Sequence, residues 1–114
     1  MSNQYSRIVE KNIFVDIDID AGGSSEVVDL SAADKFSCQA IYTVDTPVDA
    51  VITFQCSNDG TNWTAIQAGT SIVANGTTML EVAEVDYRYF RVLKALTSGD
   101  VDLECLVLVI GDAT

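Results

Sequence analysis

Histidine is absent from this 114-residue chain. Its absence removes the commonest general base, the commonest metal ligand and any Ser-His-Asp triad. Basic side chains are scarce: six lysines and arginines stand against 17 aspartates and glutamates, giving a net charge of −11 and a pI near 4.1. Nucleic acid and anionic membrane surfaces are therefore poor partners, since both are held by clustered Lys and Arg. The seven glycines never form G-x-G-x-x-G or a P-loop, which leaves nucleotide binding without a motif. No apolar run is long enough to span a bilayer as a helix; the longest covers residues 105–110. Residues 1–7 lack the apolar stretch of a signal peptide, so the expectation is a protein made in a cytoplasm and not secreted. Cys38, Cys56 and Cys105 are an odd number of cysteines without a C-x-x-C pair, read as buried free thiols in a reducing compartment.

What the chain has instead is a composition 48% hydrophobic and 20% charged, that of a globular protein rather than a disordered one. Its length suits one domain. Residues 1–11 are polar and aperiodic and read as an N-terminal arm; residues 12–114 read as the folded domain. Over 12–20, Ile13, Val15, Ile17 and Ile19 share one face, and Phe14, Asp16, Asp18 and Asp20 the other, the period of a strand. The Asp-x-Asp-x-Asp string begins like an EF-hand loop. An EF-hand needs Gly at its sixth position and Glu at its twelfth, where this chain has Ala21 and Val27. Asp16, Asp18 and Asp20 are left as weak cation candidates on a solvated face, and no resident metal or cofactor is expected.

The pattern continues as short strands. Phe36, Cys38, Ala40, Tyr42 and Val44 alternate with Ser37, Gln39, Ile41 and Thr43 before Pro47 breaks the run. Ile52, Phe54 and Cys56 face inward by parity. Residues 54–63 form the centre of the chain: a strand end, the turn residues Asn58, Asp59 and Gly60, then Trp63 at the start of a returning strand. Trp63, the only tryptophan, is expected to plug one end of the core. Asn75-Gly76 is the strongest two-residue hairpin signal. Residues 87–96 carry Arg88, Arg91 and Lys94, half of all the basic residues, expected to meet carboxylates within the subunit or across a contact. In the last strand, 101–110, Asp102 and Glu104 give way to Leu106, Leu108 and Ile110 on the same face. Such a strand is central in a covered sheet or lies at a subunit contact. Eight or nine strands without a helical period predict a single all-β antiparallel sandwich or jelly roll of about eight strands. With 17 acids some carboxylate pair will meet a glycosidase spacing by accident, so catalysis is not expected.

Two motifs carry a resemblance. Ser57-Asn58-Asp59-Gly60 followed by Trp63, with Tyr87-Arg88-Tyr89-Phe90-Arg91 further on, resembles the paired motifs of discoidin-like (F5/8 type C) sandwich domains. With Asp29-Leu30-Ser31 ahead of them and Ser98-Gly99 before the last strand, the order over residues 27–110 looks more like a group of small tailed-phage virion proteins. That resemblance implies a non-enzymatic capsid decoration (cement) protein or other minor virion component. It would form a homo-oligomer, a trimer favoured, bound to the major capsid protein or other virion proteins. Under it, Asn58, Asp59, Gly60, Trp63, Tyr87 and Tyr89 build the hairpin and core. Tyr5, Arg7, Arg88, Arg91, Lys94, Leu106, Leu108 and Ile110 are the interface candidates. The discoidin half implies an alternative, a carbohydrate-binding module or a tail or spike subunit touching host glycans, which requires exposed tyrosines or an exposed Trp63.

Overall fold

A computed structural model of the chain describes residues 6–15, 23–31, 33–44, 48–99 and 101–112. Regular structure in them is all strand: β1 (Ser6–Val15), β2 (Gly23–Ser24), β3 (Val28–Asp29), β4 (Ala33–Val44), β5 (Asp49–Ser57), β6 (Thr64–Ala65), β7 (Thr70–Ile72), β8 (Gly76–Val82), β9 (Tyr89–Ser98) and β10 (Val101–Asp112). The first sheet has the order β1-β10-β4-β8. In the second, β9 and β5 lie at the centre, with β2 and β3 both along β9 and β6 and β7 both along β5. Each short pair fills one strand position, so both sheets are four positions wide and every pairing is antiparallel. The chain passes back and forth between the sheets, the strand order of a jelly roll. The all-β sandwich expected from the pattern is the fold observed.

Alternation decides which side chains meet between the sheets. Phe36, Cys38 and Ala40 of β4 and Val101, Leu103, Cys105 and Val107 of β10 are buried, as are Ile52 and Phe54 of β5 and Phe90 and Val92 of β9. Phe90 joins the layers: its ring centroid lies 4.9 Å from that of Phe36 in the opposite sheet and 6.1 Å from that of Phe54 beside it. Cys38 and Cys105 lie inside this core as free thiols. Hydrogen bonding to Cys105, then burial, pushes the Cys38 thiol far above the ordinary thiol range, so it is unreactive.

Two expectations are corrected here. Residues 6–11 are not a free arm: they run in β1 antiparallel to β10, with Ser6 opposite Asp112 and Lys11 opposite Val107. Backbone hydrogen bonding, which needs no side-chain alternation, makes this strand; without it the flank of β10 would be open. Residues 1–5, with Tyr5, and residues 16–22, with Asp16, Asp18 and Asp20, lie outside the described residues.

Asn75-Gly76 is not a hairpin turn. β7 pairs with β5 in the second sheet and β8 with β4 in the first, so the dipeptide crosses between layers. The Asn75 side-chain oxygen accepts a hydrogen bond from the Val44 N–H at 2.7 Å. A Cβ on Gly76 would lie 2.9 Å from the Tyr42 ring, whose hydroxyl is bonded to Thr78 Oγ1 at 3.0 Å. Glycine is there for close approach of backbone to ring. Gly76→Ala should cost about 1–3 kcal/mol through overpacking. Calorimetry should show a melting temperature several degrees lower.

Candidate functional site

Two surfaces stand out, one on each sheet. On the outer face of the first sheet, β10 turns Leu106, Leu108 and Ile110 away from the core, because their inward neighbours Cys105 and Val107 occupy the other parity. β4 and β8 lie alongside, placing Gln39 opposite both Leu106 and Met79. A hollow of about 440 Å³ is lined by Lys35, Ser37, Glu81, Leu108 and Ile110 among others. Next to it, a second of about 320 Å³ is lined by Ser37, Gln39, Met79, Leu106 and Leu108 among others. Ser37 and Leu108 belong to both, so the two form one shallow apolar trough with a cation, Lys35, and an anion, Glu81, at one end. Met79 is 51% exposed and Leu106 37%, large apolar side chains left open to water. The expected residues Leu106, Leu108 and Ile110 do gather here. Met79 was not foreseen: it is the outward residue of a strand whose neighbour cannot be named from one sequence.

The second surface is the hairpin after β5. Cys56 pairs with Thr64, and the turn between is held by its own side chains. The Gly60 and Asp59 N–H groups donate to Ser57 Oγ at 2.9 and 3.2 Å, while the Ser57 hydroxyl donates to Asp59 Oδ1 at 2.9 Å. Asp59 also accepts from the Thr61 and Asn62 N–H groups and from Asn62 Nδ2, at 2.8–2.9 Å. Those donors, the backbone N–H groups of Asn62 and Thr61 first, hold the Asp59 carboxyl well below the usual carboxylate range. Asn58 Oδ1 accepts from the Arg88 N–H at 3.1 Å, tying the turn to the segment before β9. Gly60 adopts φ 75°, a conformation that favours glycine.

Trp63 is not a core plug. It is half-buried and packs against Arg91, whose guanidinium carbon is 4.2 Å from the ring centroid. Arg91 lies opposite Gln55 in the β5–β9 pairing, and its Nε donates to Gln55 Oε1 at 2.8 Å. Both alternate with the buried Phe54, Phe90 and Val92, which places them on the outer face, and the tryptophan with them. Tyr89 sits nearby against Gly60, with the Arg88 guanidinium 5.3 Å from its centroid. Arg88 and Arg91 therefore sit over aromatic rings, and Arg88 adds, after the Ser31 hydrogen bonds, to what holds the Asp29 carboxyl below its ordinary value. Lys94 is corrected as well: it is 1% exposed, and its Nζ donates to the Val101 carbonyl at 3.3 Å, so it faces the core and not an interface. A spacing of three along a strand puts successive residues on opposite faces, which sends Arg91 out and Lys94 in. Arg7 pairs with Gly111 through the β1–β10 register.

Tyr87 packs edge-on against Phe36 at 6.3 Å, partly buried beside the core. Its hydroxyl is buried with no hydrogen-bond partner among the described residues. Burial first, then the nearby Cys56 and Asp86, pushes it up to about 12. An unfolded tyrosine titrates near 10, so the folded chain holds this proton more tightly, and the associated stability is lost as pH rises from 10 towards 12. Tyr87→Phe should weaken that alkaline loss, and at neutral pH should be neutral or stabilising by up to about 1 kcal/mol because an unpaired hydroxyl is removed. Urea midpoints at neutral pH and at successively alkaline pH would check both. Among the described residues no group of three or more Cys, Asp or Glu side chains is placed to hold a metal ion.

No family model matches the chain, and no curated protein does. Solved structures do, through shape. The SPBc2 prophage-derived protein YomS is 13% identical, with a TM-score of 0.56 over 92% of this chain and 96% of that one. A chain from the Bacillus endospore appendages, described as disulfide-linked pili, is 13% identical, with a TM-score of 0.53 over 95% of this chain and 86% of that one. A chain of infectious bursal disease virus, Gx strain, is 7% identical, with a TM-score of 0.56 over 92% of this chain but only 32% of the viral one. At these identities the likeness is one of fold: the chain shares its sandwich with a prophage-derived protein, a pilus subunit structure and a segment of a virus particle protein.

Proposed function

We propose that the chain is a non-enzymatic virion structural protein, a decoration (cement) subunit that assembles as a homo-oligomer, a trimer favoured, and binds the major capsid protein or another virion component. The observation that carries this reading is the apolar trough of Met79, Leu106, Leu108 and Ile110 on the outer face of a four-stranded sheet. A jelly roll already buries its core between its sheets, so an apolar outer face is available to a second molecule. The shared fold with a prophage-derived protein and with a viral chain supports it, and the missing histidine argues for assembly over catalysis. Lys35 and Glu81 at one end of the trough give a facing copy opposite charges to meet.

Self-association has to overcome repulsion between chains of net charge −11. Raising salt shortens the Debye length from about 30 Å at 0.01 M to about 3 Å at 1 M, so the oligomer should strengthen with ionic strength. Sedimentation at low and high salt would read this directly. The role itself is tested by quantitative mass spectrometry of purified particles from a producing host. A fixed ratio to the major capsid protein supports it; absence from particles overturns it.

A carbohydrate-binding role gains one observation, that Trp63 lies outside the core. It is opposed by another: Arg91 and Arg88 already stack on Trp63 and Tyr89, where a sugar would need free ring faces.

A further inference from the structure

The hairpin surface on the second sheet has a chemistry of its own. Two of the chain's few basic side chains, Arg88 and Arg91, stand against Tyr89 and Trp63. Arg91 is held from two directions, by the tryptophan ring, whose centroid is 4.2 Å from its guanidinium carbon, and by Gln55 on its Nε. That leaves the two terminal nitrogens of a pre-oriented fork. No carboxylate among the described residues lies within ion-pair distance of either arginine; Asp29, whose carboxyl already accepts from the Ser31 hydroxyl and N–H, feels the charge of Arg88 from beyond that distance. Asp59, the acid of the turn, has both oxygens engaged by Ser57, Thr61 and Asn62.

We infer that Arg88 and Arg91, set on Tyr89 and Trp63, form a docking site for a carboxylate-bearing polypeptide segment, an Asp- or Glu-containing loop of a partner protein. A planar guanidinium fork matches a carboxylate bidentately, and Trp, Tyr and Arg are the residues that concentrate binding energy at protein contacts. The net charge of −11 does not abolish the site, because at physiological salt the remaining acids are screened beyond about 8 Å. Charge complementarity also sets the occupant: a neutral sugar would need the ring faces, whereas a carboxylate needs the forks that cover them. The inference goes beyond the virion reading and concerns the opposite sheet, so its failure leaves the trough and its oligomer untouched.

Trp63 is the only tryptophan, so its fluorescence reports on this site alone. The native chain is titrated with a blocked oligoglutamate peptide, with oligoglutamine of equal length and with oligogalacturonate, and the emission is followed. Saturable change with oligoglutamate, absent with oligoglutamine, is expected. Arg91→Gln should weaken the affinity at least about tenfold, as loss of a charged hydrogen-bonded pair does. Arg91→Lys should recover only part of it, since charge without the fork is not enough. Calorimetric titration gives the same comparison where a substitution alters the Trp63 signal itself, and Arg88→Gln, at an exposed side chain, avoids any folding defect. No saturable response from the native chain, an equal response to oligoglutamine, or an unchanged affinity in Arg88→Gln/Arg91→Gln would overturn the site. Tighter binding of oligogalacturonate than of oligoglutamate would overturn the polypeptide occupant in favour of an acidic glycan.

Discussion

Replacing Phe90 with alanine is expected to destabilise the domain by about 3–5 kcal/mol, the cost of deleting a fully buried aromatic ring. Phe90 is 0% exposed and stands between Phe36 of the first sheet and Phe54 of the second. Neighbouring strands are hydrogen-bonded within each sheet and cannot slide into the void, so most of the cavity would persist. Against a total stability of about 5–15 kcal/mol this is a large fraction, and it corresponds to a fall in melting temperature on the order of 20 °C. Trp63→Ala, by contrast, removes a half-exposed ring and one cation–π contact, worth about 0.5–1 kcal/mol for the contact itself. Urea unfolding of the two variants side by side should therefore rank the phenylalanine far above the larger tryptophan. The reverse order would put the core where the sequence alone had placed it.

The second large effect concerns assembly. Leu106→Glu/Leu108→Glu should leave the sandwich folded and remove its self-association. Both side chains point away from the core, lying opposite Gln39 and Ser37 on β4, so folding loses little. Burying an aliphatic side chain at a contact is worth about 1.5–3 kcal/mol, so two together contribute roughly 3–6 kcal/mol. That weakens dissociation constants by a factor of about 10²–10⁴ before the repulsion of two added carboxylates is counted. An unchanged circular dichroism spectrum alongside a halved or smaller mass is the expected pair of results; loss of fold would show that these residues serve the core instead.

How much of this could be read from the residues depends on which contacts are local. The alternation in β4 and β10 identified inward and outward faces because a strand has a period of two wherever it lies. In β5 it held through Ile52 and Phe54 but failed at Cys56, which is only partly buried where Ser57 takes the buried place. The Ser57–Gly60 turn was readable for the same reason, its hydrogen bonds being made within six residues of sequence. Asn75-Gly76 misled because its close neighbour, Tyr42, is far away in the chain. Trp63 misled because size favours burial only when the strand parity permits it, and the ring follows Arg91 and Gln55 to the outside. β1 had no alternating signal over residues 6–11 because an edge strand is specified by backbone pairing with β10. The outer trough was half visible: Leu106, Leu108 and Ile110 could be read from one strand, whereas Met79 and Lys35 join it only through the order β10-β4-β8.

The most direct test of the central claim, that the outer face of the first sheet assembles the protein, is the molar mass of the purified chain by size-exclusion light scattering over a range of concentration and salt. The native chain should elute as an integral multiple of 12.3 kDa, favoured by salt, and Leu106→Glu/Leu108→Glu at 12.3 kDa. A native mass of 12.3 kDa at every concentration and ionic strength would contradict it.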